Sequence, residues 1–291
     1  MIGSEGTAVS PTADDWFSRY RRAVLETRPF DFRMGFFLAY FRSFAVPESA
    51  SILVTSGEIP HHPFKRTADT AIVVYEIIWG GFDSERGRAA LGILNRAHKH
   101  VSAPNEDFLY VLLSLMIVPA RYIDAHGASP LTMAERTASL QFYQELGRRM
   151  NLPNVPLTFE QAVLFYDDFE RRRVHSTADI RLLFDSTVAV FGARLPAPIR
   201  PIVRPIVGAL IEDPRMLDAL GLSTASRALS RLVFGFVALR RRFPETKRSS
   251  FTPGQRLAGV YPRGYQMQDV GPAGIAGPGG IAMRQPPLPP L

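Results

Sequence analysis

From about residue 13 to residue 243 one pattern recurs along the chain: a capping residue or proline, apolar positions three and four apart, then a glycine, asparagine or proline break. That spacing puts apolar side chains on one face of a helix, whereas half-buried strands need alternation with a period of two. Stretches with that alternation, bounded by turn residues, are scarce here. The pattern predicts an all-α fold, a single large multi-helix domain over residues 12–243. The helices fall over 13–27, 31–44, 48–57, 66–80, 84–102, 105–125, 131–150, 158–174, 177–192, 197–211, 214–220 and 224–243. Asp83–Ser84 caps one start, Gly80–Gly81 closes the helix before it, and Thr158 with Gln161 has capping-box spacing. The run from Asn151 to Pro156, Asp213–Pro214 and Gly221 mark further breaks.

Outside the helical region the character changes. Residues 1–11 read as a flexible start, 244–270 as an extended arm rich in Arg, Tyr and Pro packed on the domain, and 271–291 as a disordered Gly/Pro-rich tail. The proline-rich end, Gln285 to Leu291, could pose as a polyproline ligand, but a plain tail accounts for it. The polar, acidic stretch Met1–Asp15 lacks the basic start and apolar run of a secretory signal. The longest apolar run, Phe108–Ala120, is interrupted by Ser114 and is shorter than the ~20 residues of a membrane span. The expectation is therefore a buried core helix, no membrane span and a cytoplasmic location. The oligomeric state has no signal.

Several chemistries are excluded early. The chain has no cysteine, which removes disulfides, thiolate ligation, iron–sulfur clusters and cysteine nucleophiles. A Gly-x-Ser-x-Gly elbow, a phosphate loop and a His-Glu-x-x-His pair are all absent, and the glycines of 271–280 follow no strand. His61–His62 lies between prolines with no evident third ligand. The net charge of +7 comes mostly from arginines spread along helices beside acids, densest at Arg240–Arg241–Arg242. It reads as solvated surface, or as partners for cofactor carboxylates, and not as a nucleic-acid site.

His98 is the sharpest chemical clue. It shares a helix face with Leu91, Leu94, Ala97 and Val101, while Arg88, Gly92, Asn95 and Lys99 occupy another. Such a histidine can be a core residue donating to a backbone carbonyl. It can equally be an axial metal ligand, since neutral imidazole in an apolar pocket suits haem iron. His100, two residues on, points elsewhere. On the preceding helix Arg66 and Thr70 share a face beside Asp69. Arg66 could serve a propionate, or simply pair with Asp69 at the surface. Asn105, Glu106 and Asp107 read as helix caps.

Several stretches resemble the MpaB-type oxygenase family, distantly related to the latex-clearing rubber oxygenases. They are Lys65–Thr70, Glu76, Gly81–Gly87, Leu94–His98, Asn105–Val111, Gly147–Asn151 and Tyr261–Tyr265, in matching order from about residue 30 to 270. The resemblance implies an all-helical fold with haem b buried between helices and His98 as its axial ligand. It implies Arg66 and Thr70 in the haem pocket, with Asp69 and Thr70 as distal candidates. Rubber oxygenases carry a distal lysine where this chain has Asp69, and an arginine where it has Asn95. The implied activity is a haem-dependent oxygenase or peroxygenase using dioxygen or peroxide on an apolar or aromatic small molecule, by alkene cleavage or hydroxylation. Phe and Leu from the helices at 31–44, 105–125 and 177–192 would line its pocket. A haem carrier or sensor without turnover is the alternative, and a helical interaction module that merely keeps the fold is a third.

Overall fold

Proline opens α2 (Pro29–Arg42), α3 (Pro47–Thr55), α5 (Pro63–Gly80) and α12 (Pro214–Ala219). Its fixed φ suits a first turn, where its missing N–H would have no partner. Side-chain caps start others: Ser84 on α6 (Glu85–His98), Thr132 on α8 (Met133–Arg149), Thr158 on α9 (Phe159–Arg173) and Thr177 on α10 (Ala178–Gly192). With α1 (Asp14–Arg22), α4 (Glu58–His61), α7 (Asn105–His126), α11 (Val203–Ile211) and α13 (Arg227–Arg240), thirteen α-helices among the described residues form one domain. These elements belong to a computed structural model that describes residues 14–99, 101–193, 195–240 and 251–272. Among them the only β pairing is an isolated bridge, Leu257–Tyr261.

The all-helical expectation holds, with local differences. The helix expected over 13–27 changes to a π-helix at Ala23–Thr27, and the one expected over 197–211 begins as a 3-10 turn at Ala197–Ile202, where Pro201 interrupts α-type bonding. The short α4 was not expected. Thr158 accepts from Gln161 N, but the reciprocal bond is missing there; Thr132 with Glu135 forms a complete capping box. Asn105, Glu106 and Asp107 are not caps: Pro104 precedes α7 and no side chain caps it. Asp107, 2% exposed, instead accepts from Ser49 at 3.0 Å, and Asn105 reaches the Pro153 carbonyl. Residues 1–11, His100, Arg241–Arg242, 244–250 and the tail from 273 lie outside the described residues.

The core is built on α2 crossing α7. A Cβ on Gly35 would lie 2.3 Å from the Pro119 Cα, so only glycine permits that approach. Beyond it, Arg42 of α2 grips Glu170 of α9 at 2.7 and 3.0 Å, and the Tyr110 hydroxyl of α7 donates to the same carboxylate at 3.0 Å. The pairing satisfies an acid only 4% exposed. By length and composition α7 could cross a bilayer, but 67% of its apolar window is buried inside the domain. It is a core helix, as its sequence predicts.

Candidate functional site

Helices α5 and α6 are joined by the four residues 81–84, a connection short enough to make them antiparallel neighbours. A Cβ on Gly87 would lie 1.8 Å from the Gly81 carbonyl oxygen, so the turn closes tightly only around glycine. At this closed end Arg86 of α6 pairs with Glu76 of α5 at 2.5 and 2.8 Å. Glu76 is fully buried. The antiparallel register then sets the end of α6 opposite the start of α5, and so brings His98 to the neighbourhood of Arg66 and Thr70.

The His98 Nδ1 lies 2.8 Å from the Leu94 carbonyl one turn back. A carbonyl can only accept, so Nδ1 carries the proton and Nε2 keeps its lone pair. Burial lowers the imidazole's pKa, with a smaller push from Arg66 and an opposing pull from the Leu94 bond. The ring is therefore neutral at pH 7. Phe108 of α7 meets it edge-to-face at 5.6 Å. Phe108, Val111 and Leu115, on one face of α7, all remain partly exposed although most of the helix between Asp107 and Ala120 is buried, with Val111 at 36%.

The alternative surface pair, Arg66 with Asp69, is not formed. Arg66 donates to the Thr70 hydroxyl at 2.8 Å and has no carboxylate partner among the described residues. Thr70 in turn donates to the Arg66 carbonyl at 2.8 Å. Tyr40 of α2 comes within 3.4 Å of the adjacent Thr67 hydroxyl. Asp69 faces another way. Both its oxygens are engaged: Tyr261 donates at 2.5 Å, Lys65 at 2.5 Å and the Gly271 amide at 3.0 Å. Lys65 also reaches the carbonyls of Asp269 and Gly271. Burial pushes the Asp69 carboxyl up, against Lys65, Tyr261 and Gly271, which pull it down. Four residues after Tyr261, the Tyr265 hydroxyl donates to Glu76 at 2.6 Å. The segment 251–272 is thus strapped along α5 by two buried carboxylates. Sequence reasoning singled out the Tyr261–Tyr265 stretch but assigned its tyrosines no partner.

Among the described residues no three His, Asp or Glu side chains converge, so a bare metal ion has no ligand set. A lone neutral imidazole suits a metal that brings its own equatorial donors, and Arg66, bonded to Thr70 but to no carboxylate among the described residues, suits one.

Among the described residues the domain is all-helical, and its neutral His98 imidazole lies near enough to the Arg66 guanidinium to be influenced by its charge. The chain belongs to the MpaB/Lcp family: the family profile described as "ER-bound oxygenase mpaB/B'/Rubber oxygenase, catalytic domain" matches residues 29–242. It is 24% identical over 203 residues to the ER-bound oxygenase mpaB of Penicillium roqueforti (strain FM164), covering 64% of this chain and 68% of that protein. It is 23% identical over 231 residues to the ER-bound oxygenase mpaB' of Penicillium brevicompactum, covering 73% and 54%. A third similarity, 26% identity over 130 residues to the mpaB of Penicillium brevicompactum, covers 43% of this chain and 33% of that protein. The matched stretches thus span from 33% to 68% of these relatives' lengths.

Proposed function

We propose that this oxygenase works with haem b, that His98 is the axial ligand of the iron, and that the substrate is an apolar or aromatic small molecule oxidised with dioxygen or peroxide. The observation that carries this reading is the His98 geometry: Nδ1–H is spent on the Leu94 carbonyl, which fixes the tautomer and leaves Nε2 free. The donor set fits the group. A neutral nitrogen sits beside Leu94 and Phe108, and Arg66 is a cation with no carboxylate partner among the described residues, suited to a propionate.

Haem at this position would supply the means to activate oxygen, and the protein's part is binding and orientation. The Leu94 bond holds the imidazole plane. The Thr70 hydroxyl keeps the Arg66 guanidinium in place, and Tyr40 with Thr67 closes the polar edge. The apolar stripe Phe108, Val111 and Leu115 offers an aliphatic or aromatic substrate a surface without hydrogen-bond demands. Asp69, committed to the strap, is read as a positioning residue of α5, which leaves Thr70 as the polar side chain nearest Arg66. Cleavage of an alkene would place both atoms of one dioxygen in two carbonyl products, and hydroxylation would place one atom in the substrate.

The test is an absorption spectrum of the purified, hemin-supplemented protein, oxidised and reduced, with oxygen uptake measured on an apolar alkene. His98→Ala should lose the Soret band or shift it strongly while helical circular dichroism persists, and Arg66→Ala should shed haem faster. An unchanged spectrum in His98→Ala refutes the ligand assignment. Haem binding without oxygen uptake would leave a carrier or sensor.

A further inference from the structure

Helix α6 has a second working face. Leu91, Leu94 and His98 share one side, and Ala89, Gly92 and Arg96, with the same three- and four-residue spacing, lie on the opposite one. Between that far side and the 3-10 turn Met267–Asp269 of the segment 251–272 lies a cleft of about 390 Å³, room enough for a compact small molecule. Its floor is small or apolar: Ala89, Gly92 and Ile93 of α6, with Met267 from the turn. Its rim is a set of donors. Arg96 and Gln268 are exposed, and neither side chain has a hydrogen-bond or charged partner among the described residues. Gln266 spends its side-chain oxygen on the Asp269 amide, which leaves its NH2 group to face the cleft's contents. Arg88 donates to the Asp83 carbonyl and has no acidic partner among the described residues. Arg86 is already committed to Glu76. One acid, Glu85, also lines the cleft, but it stands three helical turns before Arg96, roughly 16 Å along the axis, so the Arg96 end is positive.

Gly92 sharpens the picture. Glycine weakens a helix interior, so its place in the middle of α6 needs a reason. A Cβ there would meet one side-chain atom, the Arg96 Nη1, at 3.1 Å. The missing side chain gives the Arg96 guanidinium room to fold back one turn over the cleft floor.

We propose that this cleft binds a compact organic anion. Its carboxylate or phosphate would be held by Arg96, with Arg88 and the Gln266 and Gln268 amides, and its body would rest on Ala89, Ile93 and Met267. A guanidinium fork beside amide donors is the chemistry that recognises an oxyanion. Bound there, the ligand ties the segment 251–272 to α6. The site lies across α6 from His98, so the proposal does not rest on the haem reading and is read by binding alone.

Calorimetric titration of the full chain with phenylacetate and with phenyl phosphate, at an ionic strength held constant with sodium chloride, tests it. The expected result is saturable binding of at least one, phenylacetate marking a carboxylate ligand and phenyl phosphate a phosphate. Arg96→Gln should weaken binding by about tenfold, as the loss of one charge-assisted contact predicts. Gly92→Leu fills the floor with a good helix former, and should abolish binding while the melting temperature holds. Arg231→Gln, which removes an exposed arginine of α13 outside the cleft, should bind as the wild type does. Absence of saturable binding by both probes overturns the proposal, and so does affinity unchanged in Arg96→Gln or in Gly92→Leu. Equal weakening by Arg231→Gln overturns it too, because binding would then follow the chain's net charge of +7 and not the cleft.

Discussion

The strap along α5 can be weighed by removing one oxygen atom. Tyr265 is 2% exposed and donates to Glu76 at 2.6 Å; burial, with the Glu76 carboxylate, keeps the phenol far above its ordinary pKa and so protonated. Tyr265→Phe keeps the ring, including its contact with Tyr261 at 5.7 Å, and deletes only the donor. Glu76 still holds Arg86, so no charge is stranded. What is lost is one hydrogen bond to a charged acceptor, about 1.5–3 kcal/mol. In a domain of this size each kcal/mol moves the melting temperature by about 2–4 °C, so the melt should fall by roughly 3–12 °C. Arg86→Ala removes the counter-charge of a fully buried carboxylate, a loss of about 3–5 kcal/mol for a buried pair. Arg86 is itself a third exposed, which points to the lower end of that range. Thermal unfolding followed by far-ultraviolet circular dichroism measures both. If Tyr265→Phe melts within about 1 °C of the wild type, the segment 251–272 is not fastened through this bond and the strap is an incidental contact.

Gly35→Ala should destabilise by about 1–3 kcal/mol, because the new methyl meets the Pro119 backbone and α2 and α7 must part; a variant as stable as the wild type in urea would mean that the crossing has slack. Burial holds the His98 pKa below its ordinary 6.5, so as pH falls the unfolded chain takes up the proton first. Stability owed to the neutral ring is then complete above pH 6.5 and is lost as pH falls through the folded value below it. On the proposed haem reading, hemin uptake followed at the Soret band should be flat down to pH 6.5 and decline only below it. A decline that begins well above that point would show a solvated, ordinary histidine.

Periodicity made the helices and one side of α5 legible, and the other side shows what local pattern omits. Arg66 and Thr70 are four apart, so spacing alone puts the two on one face, while their place beside His98 was what the family resemblance implied. Asp69 is adjacent to Thr70 in the chain, and adjacency suggested a common site. Helical geometry separates them. Asp69 lies four residues after Lys65 and seven, or two turns, before Glu76, which puts these three charged residues on a neighbouring face. That face meets Tyr261 and Tyr265, themselves four apart, almost two hundred residues later in the chain. Nothing in a window of one helix announces such a partner, because the hydrogen bonds close only after the rest of the domain has folded. The usable signal was the mismatch: two acids in register on a helix that is largely apolar from Ala71 to Trp79 had to be buried, and a buried acid needs donors from somewhere. The departure from the rubber-oxygenase pattern has the same cause. An aspartate at position 69 accepts from Lys65, Tyr261 and Gly271, where a lysine would put a second cation against Lys65 and give the Tyr261 hydroxyl no carboxylate. Asp69 and the strap therefore depend on each other, and on the proposed haem reading the chemistry is to be sought on the face of α5 that carries Arg66 and Thr70, toward His98.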